Sequence, residues 1–259
     1  MPAPINRLKQ RFKAGDTTFG SWLSFAEAAT SEVMGTAGFD WLVIDSEHAA
    51  NDIRSIRNQL MALQTSPSSL IVRVTIGEPW IIKQALDVGA QTILVPMVES
   101  GGQARDLVRA ITYPPHGIRG VGATATRASR FSNIPDYTQT ADDQISLIVQ
   151  VENRKGLAAL DDILAVQGVD CVFIGPADLA ADLGHRGDPA HPEVHAVILE
   201  MLERIDRAGK VPGILCLNEE LTESYLEAGA RFVAVAIDVI TLVTAARATA
   251  ARWIKPTAT

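Results

Sequence analysis

A phrase that recurs four times constrains this chain more than anything else in it: a helical stretch, a glycine, then a short apolar run. It reads "AGFDWLVID", "VGAQTILVP", "QGVDCVFIG" and "AGARFVAVA". The glycine stops the helix because it enters the left-handed region at no steric cost. The run that follows is too short for a helix and rich in apolar residues, as expected of a parallel strand covered on both faces. Eight such runs occur, over 19–24, 40–45, 70–74, 92–97, 146–152, 170–175, 212–217 and 231–237. Segments with helical spacing lie between them. Eight strand–helix alternations predict one (β/α)8 barrel domain over residues 1–259. An open doubly wound sheet is the competing arrangement, but no GxGxxG fingerprint follows the first run.

One segment breaks the rhythm. Residues 113–144, "YPPHGIRGVGATATRASRFSNIPDYTQTADDQ", separate the fourth run from the fifth. A connection this long is usually functional. Gly117, Gly120 and Gly122 would let its backbone approach a ligand or a neighbouring subunit closely. The flanking runs belong to one alternation, so no domain boundary is expected here.

A formal net charge of -7 argues against a nucleic-acid partner, which calls for a basic surface. No apolar run approaches the roughly 18 residues that span a membrane, and the basic start "MPAPINRLKQRFKAG" lacks the apolar core of a signal peptide. Cys171 and Cys216 fall inside apolar runs, as buried thiols of a reducing compartment would. The expectation is a cytoplasmic protein.

In a barrel the active-site face is built from the C-terminal strand ends and the loops after them. Asp45, Glu47 and His48 follow the second run, and Arg73 stands at the end of the third. Gln150 and Glu152 end the fifth run, two residues apart and therefore on one face. Asp178 lies just past the sixth. Two carboxylates without thiolates favour a hard divalent ion such as Mg2+ or Mn2+; the alternative for Asp178 is that it caps the following helix. His48 shares a short loop with Asp45 and Glu47, which could orient it for general-base work. Arg73 inside an apolar strand requires a partner, and its fork suits a carboxylate or a developing enolate oxygen. Asp87 sits near a helix C-terminus, where an acid is slightly unfavourable, so a partner elsewhere is expected. His185, His191 and His195, in "GHRGDPAHPEVH", read as a solvated loop leading into a helix.

"GFDWLVIDSEHA", "QTILVPMV", "YPPHGIRGVG", "VQVEN" and "VFIGPADLAADLG" resemble the metal-dependent, class II pyruvate aldolases of the HpcH/HpaI aldolase/citrate lyase family, whose type member is 4-hydroxy-2-oxoheptanedioate aldolase. The similarity runs in order from about residue 17 to 250. It implies a phosphoenolpyruvate/pyruvate-type barrel. The reaction implied makes or breaks a carbon–carbon bond between the enolate of a 2-oxo acid, pyruvate or hydroxypyruvate, and an aldehyde. The resemblance further implies Mg2+, Mn2+ or Co2+ on Glu152 and Asp178, His48 as the base, and Arg73 as the stabiliser of enolate charge. Gln150, Gly175, Pro176, Ala177 and Asp178 would line the donor site, with the Ala177 N–H on its carboxylate; Asp45 and Glu47 would stand behind them. Asp87 resembles an acid that a neighbouring subunit supplies to the histidine. A homohexamer built as a dimer of trimers, an exchanged C-terminal helix and a place in aromatic catabolism are implied as well.

Leu215, Cys216 and Leu217 end the seventh run, where the aldehyde is expected. They offer no handle for a distal carboxylate, which Arg127 and Arg130 of the long segment could supply instead. Ser46 departs from the glycine frequent in the type member. Two other readings compete. One is a lyase of the same superfamily acting on a coenzyme A thioester, against which the lack of an obvious basic patch counts. The other is a barrel that binds 2-oxo acids without turnover. No lysine ends an inner strand, which disfavours a Schiff-base route.

Overall fold

The computed structural model describes residues 1–254. Its strands are β1 (Thr18–Leu23), β2 (Trp41–Asp45), β3 (Ser69–Arg73), β4 (Thr92–Val95), β5 (Ser146–Val151), β6 (Cys171–Ile174), β7 (Val211–Leu215) and β8 (Phe232–Ile237). All pair in parallel with their sequence neighbours, and β8 closes onto β1. Every apolar run named from the sequence is a strand, with ends shifted by no more than two residues. The helices are α1 (Arg7–Ala14), α2 (Ala28–Gly35), α3 (Ile53–Ala62), α4 (Pro79–Asp87), α5 (Gly101–Ile111), α6 (Tyr137–Thr140), α7 (Arg154–Ala158), α8 (Leu160–Leu164), α9 (Pro176–Leu183), α10 (Pro192–Arg207), α11 (Glu219–Glu227) and α12 (Asp238–Trp253). Among the described residues no helix is long and apolar enough to cross a membrane.

Two apolar layers hold the barrel. The outer one joins alternate strand residues, such as Leu42, Val72 and Ile174, to the inward faces of the helices. The inner one fills the barrel with Trp41, Val43, Ile71, Ile148, Phe173 and Phe232. Trp41 stacks on Phe232 with ring centroids 4.0 Å apart, and it fits because a Cβ at Gly20 would occupy its ring. Helix α1, absent from the sequence reading, plugs the N-terminal end: Leu8 and Phe12 join the inner layer, and Phe12 meets Phe232 edge-on at 5.5 Å.

The long segment lies elsewhere than expected. It follows α5, not β4 directly, so it belongs to a helix-to-strand connection at the N-terminal end of the barrel. It is ordered around a small core of its own, in which Ala3 packs with Tyr113, Ile134, Tyr137 and Ala141. Arg127, offered above as a handle for the aldehyde, instead donates to Val88 O (3.0 Å) and Leu60 O (3.3 Å) at the ends of α4 and α3. None of residues 113–144 lines the cavity at the other end.

Candidate active site

The inner layer sets the site by simple alternation. Val43, Ile71, Ile148 and Phe173 point into the barrel, so the residues two further on, Asp45, Arg73, Gln150 and Gly175, face the same interior one layer higher. All four line a cavity of about 490 Å³ at the C-terminal mouth. Its remaining wall is mostly apolar, with Trp22, Phe173, Leu215, Leu221, Tyr225 and Ile237.

Asp45 and Arg73 are register partners on β2 and β3. Arg73 donates from Nε to Asp45 Oδ1 at 2.8 Å and from Nη2 to Oδ2 at 2.7 Å, a two-bond fork that fixes the guanidinium plane. Its Nη1 lies 2.6 Å from Glu47 Oε2, a close charge contact without hydrogen-bond alignment, since that oxygen has no bonded partner. The guanidinium also stands 4.9 Å over the Trp22 ring. Burial pushes the Glu47 carboxyl up from its usual range, and Arg73 opposes the shift. His48 reaches the mouth with its side chain 64% exposed, 3.8 Å from Glu47. Ser46 anchors this loop by donating its hydroxyl to Arg73 O at 2.5 Å.

Glu152 is buried one residue beyond β5. Its Oε1 accepts the Met97 N–H at 2.9 Å, and Gln150 Nε2 donates to its Oε2. Met97 turns its N–H inward from a left-handed backbone (φ 54°), the kind of strain that accumulates at functional sites. Burial first, then the charges of Asp178 and Glu47, push the Glu152 carboxyl up to about 7 against these hydrogen bonds. A Cβ at Gly175 would run into Glu152 Oε2, so only glycine leaves room for the carboxylate beside this part of the cavity wall.

Asp178 stands in the first turn of α9 and lines the cavity. It makes no capping hydrogen bond: the N-cap is Gly175, and no side chain closes that end. Helix capping therefore does not account for it. Pro176 contributes no N–H, so the Ala177 and Asp178 amides are left as donors at the positive end of α9.

Of the named residues, Asp45, His48, Arg73, Gln150, Gly175, Pro176, Ala177, Asp178 and Leu215 line one cavity, with Glu47 and Glu152 bonded or paired to them. Asp87 is not brought there within the chain. It ends α4 at the opposite end of the barrel and lies 3.7 Å from the buried Arg119. Trp22, Met97, Phe173 and Tyr225 were missed. The interior parity of β1 and β6 would have flagged Trp22 and Phe173; Met97 and Tyr225 carried no comparable signal.

Fold and mouth together define an enzyme of the (β/α)8-barrel class. More narrowly, the chain belongs to the HpcH/HpaI aldolase/citrate lyase family, whose model matches residues 18–245. It is 56% identical over 253 residues to a hydroxypyruvate/pyruvate aldolase of Roseobacter denitrificans, covering 98% of this chain and 99% of that one. It is 51% identical over 248 residues to a 4-hydroxy-2-oxo-heptane-1,7-dioate aldolase of Escherichia coli, covering 96% and 95%. A crystal structure of an HpcH/HpaI aldolase/citrate lyase family protein from Burkholderia cenocepacia superposes with a TM-score of 0.92 at 41% identity, covering 95% of this chain and 98% of that one. The chain is an aldolase, a carbon–carbon lyase.

Proposed function

We propose that the aldolase joins the enolate of pyruvate or hydroxypyruvate to an aldehyde, reversibly, with a divalent ion of the Mg2+, Mn2+ or Co2+ class. One observation carries the reading. Glu152 is buried beside Asp178, and among the described residues neither carboxylate has a basic partner within 4.0 Å. The buried Glu152 charge has only neutral hydrogen-bond donors to offset it, which leaves it costly, and an ion held by Glu152 and Asp178 would supply the missing positive charge. The all-oxygen donor set fits that class of ion. When bound, the ion contributes Lewis-acid polarisation of the donor ketone.

The chain's own groups do the rest. The Ala177 N–H holds the donor carboxylate at the α9 terminus, where the helix dipole favours negative charge. Gln150 borders the donor beside Glu152. His48 removes the proton from the donor carbon, with Glu47 alongside to stabilise the imidazolium. Arg73 keeps N–H donors beyond the two committed to Asp45, since a guanidinium carries five. Those donors face the charge that develops on the donor oxygen. Among the described residues no lysine lines the cavity, in accord with an enolate route. Leu215 and its apolar neighbours bound the aldehyde.

The assembly belongs to the same proposal. Only Asp238 is buried along α12, while Leu242 and Trp253 stand open, so this helix packs on a second copy in a homohexamer. Asp87 would then serve the histidine of a neighbouring subunit. The free buried thiols Cys171 and Cys216 suit the cytoplasm.

Exchange of the pyruvate methyl protons with deuterium, followed by NMR, tests the reading without any choice of aldehyde. Exchange that disappears with EDTA and returns with Mg2+ or Mn2+ is the expected result. Its absence from metal-loaded protein, with both pyruvate and hydroxypyruvate, would refute the proposal.

A further inference from the structure

The turn between α9 and α10 gathers three ligand-type side chains that the aldolase site leaves unused. His185 follows Gly184, the left-handed residue that ends α9. His191 is the N-cap of α10, and Glu193 stands in that helix's first turn. Backbone bonds fold the loop tightly between them, Asp188 N to His185 O (3.0 Å) and His191 N to Asp188 O (3.2 Å). The sequence alone places these histidines in a solvated loop; His185 and His191, six residues apart, meet only because the loop turns back on itself.

The two imidazoles lie face to face, with centroids 3.5 Å apart and planes 14° from parallel. His185 Nε2 is 2.8 Å from Glu193 Oε2, and His191 Nδ1 accepts the Glu193 N–H at 3.3 Å. One ligand atom from each residue falls within 4.8 Å of the other two. His185 Nε2 and Glu193 Oε2 are placed to share one hydrogen-bonding proton. A divalent ion replacing that proton would satisfy all three groups at once. Parallel rings do not aim their lone pairs at a common point, so one ring must turn. His191 is free to do so, because its bond to the Glu193 N–H is the long one.

We infer that His185, His191 and Glu193 form a second metal site, separate from the Glu152–Asp178 pair and selective for a borderline ion such as Zn2+. The donor chemistry sets the selectivity: two imidazoles and a carboxylate suit zinc, whereas the carboxylates of the mouth suit harder ions. The loop also supplies Pro189 and Ala190 to the cavity wall, so an ion here fixes that wall in place.

The test is equilibrium dialysis of the full chain against Zn2+ with Mg2+ in excess, in a Glu152→Gln/Asp178→Asn background that removes the mouth site. One zinc equivalent is expected in that background, and none after His185→Gln and His191→Gln are added, with circular dichroism confirming the fold. Glu193→Gln, at an exposed position, weakens zinc affinity at least about tenfold if the carboxylate is a ligand. Zinc retained at full stoichiometry without the histidines, or no zinc retained in the background protein, overturns the inference; unchanged affinity in Glu193→Gln does so as well.

Discussion

The two halves of the cavity are built on opposite principles. At the mouth of β2, β3 and β5 the inward residues are charged or polar and held by named partners: Arg73 by Asp45, Glu152 by Gln150 and Met97. On the side of β7, β8 and β1 the wall is apolar, with Leu215, Ile237 and Trp22 extended by Leu221 and Tyr225 from α11. The first half can carry out one reaction and tolerates little change. The second constrains only the size and polarity of whatever meets the enolate, because dispersion contacts are many, weak and undirected. A fixed donor with a permissive acceptor is what this division of labour produces.

Removing a carboxylate from the charged half should break the contrast most severely. Glu152→Gln or Asp178→Asn should lower metal-dependent methyl exchange by more than the roughly 10–100-fold typical of residues that merely orient a ligand. Exchange rates near those of the unaltered protein would remove both residues from the metal site. Arg73→Lys keeps the charge but not the fork, so kcat should fall by about 10²–10³-fold with little change in donor KM. An unchanged kcat would leave Arg73 a purely structural partner of Asp45. Gly175→Ala places a methyl group against Glu152 Oε2 and should weaken the divalent ion by about tenfold; calorimetric titration would detect equal affinity if the carboxylate faced elsewhere.

A fourth test sharpens the comparison through pH. The Glu152 carboxyl is raised from its ordinary 4.5 to about 7, so the folded protein favours its neutral form. That contribution to stability is complete below about pH 4.5 and lost as pH rises through 7. The melting temperature of EDTA-treated protein should therefore fall over that interval more than that of Glu152→Gln. Added Mg2+, which requires the ionised carboxylate, should stabilise more at pH 8 than at pH 6. Parallel pH profiles for the two proteins would contradict the shift. The smallest effect belongs to the apolar half: Leu221→Ala should raise the KM for an alkyl aldehyde about tenfold, while methyl exchange changes far less. Equal losses in both assays would show that the halves are not separable.

Much of the charged half was legible in the chain before any folding. A strand shows its residues alternately to its two faces, so an apolar interior at Val43, Ile71 and Ile148 already places Asp45, Arg73 and Gln150 inward one step later. The fourfold glycine stops and the eight apolar runs likewise determined the barrel, since period and chain reversal are local properties. Tertiary structure alone decided three other matters. Helix α1 has only Leu8 and Phe12 to bury, a signal too sparse to mark a plug until the open end of the barrel exists to receive them. Arg127 and Asp87 take partners at the N-terminal end, Val88 O and Arg119, that no spacing predicts. His185, His191 and Glu193 meet across a turn whose shape depends on where α9 ends and α10 begins. Local pattern fixes which way a side chain points; which group it meets is fixed only when closure of the barrel brings distant segments together.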